Sequence, residues 1–176
     1  MKTSRNLIRK RTLLLSMDFT KVVEKRRSIR RYKPDPVSDD LIKEILESTR
    51  VAPSASNRQP CHFIIVKDAE KKKALGLREW AAEAPVIIVG CADSSLSPTW
   101  HLVDFAIAFE HIVLAATNLG LGTCWMGRLE NETIKKVLNI PDPIKVVAVT
   151  PLGYPAESPE PKARKNLSEM VHYEKF

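Results

Sequence analysis

Apolar residues recur along this chain at two spacings, and the switches between them mark out the elements. Phe19, Val22 and Val23 follow Asp18 at helical spacing, so a helix capped by Asp18 is expected there. The pattern ends at the basic run Arg26-Arg27-Ser28-Ile29-Arg30-Arg31-Tyr32, and Tyr32-Lys33-Pro34-Asp35-Pro36 breaks any helix. Ser38 caps a second helix, with Asp39 and Asp40 in its electropositive first turn and Leu41, Ile42, Ile45 and Leu46 as one apolar stripe. Turn residues make Ala52 to Pro60, "APSASNRQP", a loop. His62 to Val66 reads as a strand and Asp68 to Leu77 as a short Lys-rich helix. Pro85 leads into "VIIVGCA", a buried strand by its branched apolar run.

Trp100 to Leu119 is the longest helical pattern and is apolar nearly all round, which places it at the centre of the fold or at a subunit interface. Gly120 stops it. A strand through Cys124 and Trp125, a helix capped by Asn131 and a strand from Ile144 to Thr150 complete the body. Pro151, Pro155, Pro159 and Pro161 then predict a stiff, extended arm over residues 151–176 that wraps something. There is no internal repeat.

A chain of 176 residues with 44% apolar side chains is a single globular domain by size, taken as residues 17–176. Three cysteines without C-x-x-C spacing argue against a disulfide scaffold and for a reducing, cytoplasmic setting. The four histidines have no metal-ligand spacing, so no metal is expected. No run approaches the roughly 18 apolar residues of a membrane span. In "MKTSRNLIRKRTLLLS" the apolar core is only Leu13-Leu14-Leu15, too short for a secretion signal. Residues 1–16 are therefore expected to be a dispensable basic extension, with Met17 a second candidate start.

The net charge of +7 suggests nucleic acid until its location is followed. Residues 1–16 hold five cations and no acid, which leaves 23 basic against 21 acidic residues beyond them, or +2. Lys25 to Lys33 contribute six more cations, so the remainder stands at 17 against 21, or −4. A body that is mildly acidic around one basic spot suits a single small anion better than a track of phosphates, and nucleic acid remains only the weaker alternative. On an extended chain Arg26, Ser28 and Arg30 share a side while Ile29 and Arg31 face the other way. Two guanidinium forks and a hydroxyl converging on one point suit a phosphate; a solvated helix end is the competing reading. Lys162 and Arg164, two apart on the arm, supply a second pair of cations.

The turn "GLGTCWMG" contains G-x-G, but it leaves a helix and enters a strand, the reverse of the dinucleotide-binding context. No G-K-[ST] phosphate loop is present either. A phosphorylated cofactor of another kind is implied.

Together these segments resemble the nitroreductase family of FMN-dependent oxidoreductases. "RRSIRRY" is similar to its first flavin-phosphate motif, "APSASNRQP" to its PSxxNxQP loop, "VDFAIAFEHIVLAATNLGLGTCWMG" to its central helix and flavin-edge turn, and "PKAR" to its closing K-x-R. The motifs occur in the family's order across residues 17 to 176. The resemblance implies an α+β fold, an antiparallel sheet flanked by helices, and an intertwined homodimer with an FMN site at each interface. By matching position it implies that Arg26, Arg27, Ser28 and Arg30 hold the FMN phosphate and ribityl chain, and that Lys162 and Arg164 close on the same phosphate. Pro53, Ser54, Ala55 and Asn57 would reach the flavin from the other subunit, and Cys124, Trp125, Met126 and Gly127 would line the ring mainly through backbone groups. Cys61 stands where the family carries an aromatic, and the segment between Val66 and Pro85 is short, which implies an open substrate face. The activity implied is hydride transfer from NADH or NADPH to FMN and on to a nitroaromatic, quinone or similar small acceptor. No side-chain acid or nucleophile is required, because the cofactor carries the reactive chemistry. A flavin-binding module without turnover is the alternative.

Overall fold

The computed structural model describes residues 18–176, so the basic extension and the question of Met17 lie outside the described residues. Helix α1 (Phe19–Lys25) starts as expected, with the Asp18 side chain accepting the Thr20 N–H. Only Val22 of its apolar residues is buried, whereas Phe19 is 71% exposed. Helix α2 (Asp39–Arg50) is capped by Ser38 and buries Ile42 and Ile45. After strand β1 (Cys61–Val66), the helix expected from Asp68 to Leu77 is present but shorter, α3 (Ala69–Ala74), and a further short helix that the sequence reading did not name, α4 (Glu79–Ala82), follows it. The break falls at Gly76, in a left-handed conformation that ends α3 early.

Strand β2 (Val86–Asp93) is followed by helix α5 (His101–Asn118), the short strand β3 (Gly122–Thr123), helix α6 (Asn131–Leu138) and strand β4 (Ile144–Gly153). Two details depart from the sequence reading. Asn131 lies inside α6, because Glu130 holds the cap position without a side-chain cap bond. The strand expected through Cys124 and Trp125 stops at Thr123. Its partner across the sheet would be Pro151, whose nitrogen faces β3 by alternation from Val149 and has no proton to give. The Cys124 N–H instead donates to Thr150 Oγ1 at 3.0 Å, and that hydroxyl donates to the Pro151 carbonyl at 2.9 Å. Pairing resumes where Met126 and Val149 exchange both backbone bonds at 2.9 Å.

The strands form one antiparallel sheet in the order β1-β2-β4-β3. It is covered on both faces. Val86, Ile88 and Ala92 of β2 join Ile42 and Ile45 of α2 and Phe105, Phe109 and Ile112 of α5 in one core, while Ile87, Val89 and Cys91 meet Leu75 and Ile134 on the other side. Double burial explains why "VIIVGCA" shows no polar alternation. The arrangement is the α+β, helix-flanked antiparallel sheet that the resemblance implied. Gly90 lets α5 lie close to the sheet, since a Cβ there would sit 2.5 Å from the Phe105 ring. No helix among the described residues is long and apolar enough to cross a membrane.

Candidate cofactor site

The basic run is extended, as its alternation predicts. Ser28 pairs with Thr123 as a parallel bridge, and Ile29 N–H donates to the Thr123 carbonyl at 2.8 Å. Ile29 is buried against Gly122, where a Cβ would come within 2.7 Å of its side chain, so glycine is what allows the arginine strand to lie against β3.

Beyond β4 the chain turns back along this strand. Lys33 N–H donates to the Tyr154 carbonyl at 2.8 Å, Tyr32 bridges Pro155, and Ala156 N–H donates to the Arg31 carbonyl at 2.9 Å. The arm therefore starts at Tyr154, since residues 151–153 belong to β4. What its first residues wrap is the arginine strand of the same chain. Glu157 fastens the pair: one carboxylate oxygen accepts the Arg30 and Arg31 amides at 2.5 and 3.2 Å, and the other lies 3.4 Å from Arg31 Nε. These bonds, the Arg30 amide foremost, hold the Glu157 carboxyl below the usual glutamate range against an opposing burial effect. Arg27 adds a strap, donating from Nε to the Pro159 carbonyl at 3.1 Å and from Nη1 to the Glu24 and Arg26 carbonyls.

The ribbon so formed walls a cleft of about 370 Å³ lined by Arg26, Arg27, Ser28, Arg30, Lys162 and Arg164, with Glu24 and Glu160 also on its walls. All six residues expected to hold a phosphate thus border one space. Arg26, Arg30, Lys162 and Arg164 form no ion pair among the described residues. Arg30 is steadied by the Trp80 ring, with its guanidinium carbon 5.9 Å from the ring centre. Four cations in no ion pair among the described residues, next to a hydroxyl, are a donor set that fits a dianionic phosphate. Cys124 is buried behind this wall; burial raises its thiol, while Arg30 and the Ser28 hydroxyl partly offset that. It is a packed thiol and not an activated one.

The loop 52–60 lines a different cleft, of about 360 Å³, through Pro53, Ser54 and Gln59. Its short 3-10 turn, Ala55–Asn57, has Ser56 and Asn57 at φ of 51° and 55°, and Gln59 beyond it is at 49°, a left-handed region uncommon outside glycine and adopted more readily by Asn than by Ser or Gln. Asn57 is exposed. Cys61, also on this cleft, has its thiol pushed up to about 11, first by burial and then by Asp104. The two clefts share no residue, so one chain does not bring the loop to the clamp.

The turn Cys124 to Gly127 and the loop are both referred to α5. Trp125, 41% exposed, stands edge-on to Phe109 with ring centres 4.5 Å apart. One turn earlier, Asp104 holds the loop. Residue-by-residue reading missed Asp104, Glu157 and Trp80; the only hint in the sequence was an acid within the apolar first turns of α5. His101 and His111 turn Nδ1 to the Ser97 and Ser48 carbonyls at 3.0 and 2.9 Å, as helix-face residues. No cluster that could hold a metal occurs among the described residues.

Comparison with known proteins gives a concordant picture. The model of the nitroreductase family matches residues 23–78 and 71–154. A Methanothermobacter thermautotrophicus protein named for NADH dehydrogenase and NAD(P)H nitroreductase activity is 38% identical over 91% of this chain and 88% of its own. The solved structure of a nitroreductase family protein from Clostridium difficile 630 superposes with a TM-score of 0.84 at 29% identity, covering 91% of this chain and 100% of that one. An FMN-dependent nitroreductase from Clostridium difficile R20291 gives 0.79 at 32% identity, covering 88% and 98%.

Proposed function

The chain belongs to the nitroreductase family, and from that premise we propose that it binds FMN, takes hydride from NADH or NADPH and passes electrons to a nitroaromatic, quinone or similar small acceptor. The observation that carries the reading is the convergence of Arg26, Arg30, Lys162 and Arg164, none of them ion-paired among the described residues, on one cleft beside Ser28. Bound FMN would supply the hydride-accepting and electron-donating chemistry. Arg26 and Arg30 act as forks for its phosphate, Ser28 donates a hydroxyl, and Lys162 and Arg164 close from the arm that Glu157 and Arg27 hold in place. Arg27 serves this site chiefly through the arm, because its Nε and Nη1 are committed to carbonyls. Backbone groups of Cys124, Trp125, Met126 and Gly127 would line the ring of bound FMN, and donors there would favour the negative charge that hydride uptake brings.

Pro53, Ser54, Ala55 and Asn57 reach the flavin from the second subunit of a homodimer. The separation of loop and clamp within one chain supports that division. Purified protein incubated with FMN should retain it, and anaerobic NADH or NADPH should bleach its visible band, with return on adding a quinone or nitroaromatic. Retained FMN that neither nicotinamide bleaches would favour a flavin-binding module without turnover. Release of FAD from the denatured protein would overturn the cofactor assignment.

A further inference from the structure

Asp104 is an acid in the first turn of the most apolar helix of the fold, and it is 3% exposed. Both oxygens are used: Oδ1 accepts the Ala55 N–H at 2.7 Å and Oδ2 accepts the Ser97 hydroxyl at 2.8 Å. Nothing in the electron-transfer reading requires this buried carboxylate. Its partner is the first residue of the 3-10 turn whose following residues, Ser56 and Asn57, are left-handed, and Gln59 beyond them is left-handed too. The loop's ends are tied by Ala52 N–H to the Thr49 carbonyl and by the Pro60 carbonyl, which accepts the Asp93 N–H; between them the other backbone N–H bonds are internal, Asn57 N–H to the Ser54 carbonyl and Gln59 N–H to Ser54 Oγ, both at 2.9 Å, and Arg58 N–H to the Ala55 carbonyl at 3.1 Å. The Ala55 amide is thus where an intrinsically unfavourable loop is tied to a rigid helix, and Phe105 and Phe109 of the same helix pack against Trp125 of the flavin-edge turn.

We propose that Asp104 is the positioning residue of the flavin site: by fixing the Ala55 amide it sets the loop 52–60 in the conformation that meets the ring, in register with the turn at Trp125. The inference rests on the FMN reading above for what the loop meets, and on this chain alone for what holds the loop. Asp104 acts at a distance from the phosphate, so its signature differs from that of the clamp. Asn at this position keeps an oxygen for Ala55 and an amide that the Ser97 hydroxyl can accept, whereas Ala keeps neither.

Two measurements on the full-length chain decide it: hydrogen exchange across residues 52–60 in flavin-free protein, and titration with FMN and with riboflavin. Asp104→Ala should speed exchange in the loop and lower affinity for both flavins by the same factor, about tenfold or more, because a partly buried amide loses its charged acceptor. Asp104→Asn should stay within about threefold of the original protein for both ligands. Should Asp104→Ala fail to fold, Ala55→Pro takes its place. It deletes the N–H at the first position of a 3-10 turn, where proline is tolerated, after Ser54 at φ −140° and ψ 156°. It should reproduce the equal loss for both flavins. Unchanged loop exchange and flavin affinity in Asp104→Ala, or equal damage from Asn and Ala, would overturn the proposal. An original protein that binds neither flavin would instead remove the functional reading, while the exchange arm would still decide whether Asp104 holds the loop.

Discussion

Arg26 and Arg31 stand five positions apart in one basic run, and what separates them is their partners. Arg31 pairs with Glu157 on the arm, whereas Arg26 faces the cleft without an ion pair. The alternation of an extended strand made that difference legible, because it places the two on opposite sides. Glu157 and Asp104 were not legible, since each gains its meaning from a residue far along the chain, 127 positions from Arg30 and 49 from Ala55. Glu157 carries a pH prediction. Its carboxyl is held below the usual glutamate range in the folded chain, so the latch is fully formed above that range and is lost as pH falls through the lowered value. The difference in FMN affinity between the original protein and Glu157→Ala should therefore persist down to about the ordinary glutamate value and shrink below it, on top of the weakening both show as the FMN phosphate takes a proton near about pH 6. Glu157→Ala should weaken FMN binding at neutral pH without touching the ligand, and fluorescence titration against pH would show both effects. A variant that binds FMN as tightly as the original protein would mean that the arm needs no latch.

At the scale of elements, strong periodicity gave the helices α1, α2 and α5 and the strands β1, β2 and β4 their places. What could not be read were breaks set by tertiary partners. The end of β3 depends on Pro151 in the neighbouring strand, 27 positions beyond Cys124, and on the Thr150 hydroxyl, which accepts the Cys124 N–H and donates to the Pro151 carbonyl. The early end of α3 and the existence of α4 went unread because Ala74, Leu75, Leu77, Arg78 and Glu79 keep a helical composition on both sides of Gly76. The exposed side of α1 was also unreadable, since the spacing of Phe19, Val22 and Val23 does not say how much of the apolar face a single chain covers. The contact of Ile29 with Gly122 yields a second prediction. A Cβ at Gly122 would meet Ile29 at 2.7 to 3.0 Å, with the side chain's root among the atoms hit. Gly122→Ala should cost about 1–3 kcal/mol by overpacking and, by moving the arginine strand, weaken FMN more than riboflavin. Urea denaturation and the two titrations check it, and a variant matching the original protein in both would show that the strand has room.

At the scale of the molecule, exposed large apolar side chains among the described residues include Phe19 and Val23 of α1, Leu102, Val103 and Ile107 of α5, and Leu167, Met170, Tyr173 and Phe176 at the end of the arm, besides Val51, Leu96, Trp100 and Trp125. A subunit interface at α5 was one of the two places its all-round apolar pattern allowed. A homodimer covering these stretches is the expected assembly, so sedimentation should find two chains together at low micromolar concentration, and a monomer that keeps its full FMN content would contradict it. The dimer also predicts complementation. A chain carrying Arg26→Ala mixed with one carrying Asp104→Ala should regain one tight flavin site per pair, because one interface then joins an intact clamp to an intact loop. The most direct test of the account compares FMN with riboflavin, which lacks the phosphate, in the original protein and in Arg26→Ala. If the cleft reads a phosphate, the substitution removes a charge-assisted bond worth about 1.5–3 kcal/mol, roughly ten- to over a hundredfold in FMN affinity, and leaves riboflavin nearly unchanged. Equal losses for the two ligands would show that the arginine run supports the fold and holds no phosphate.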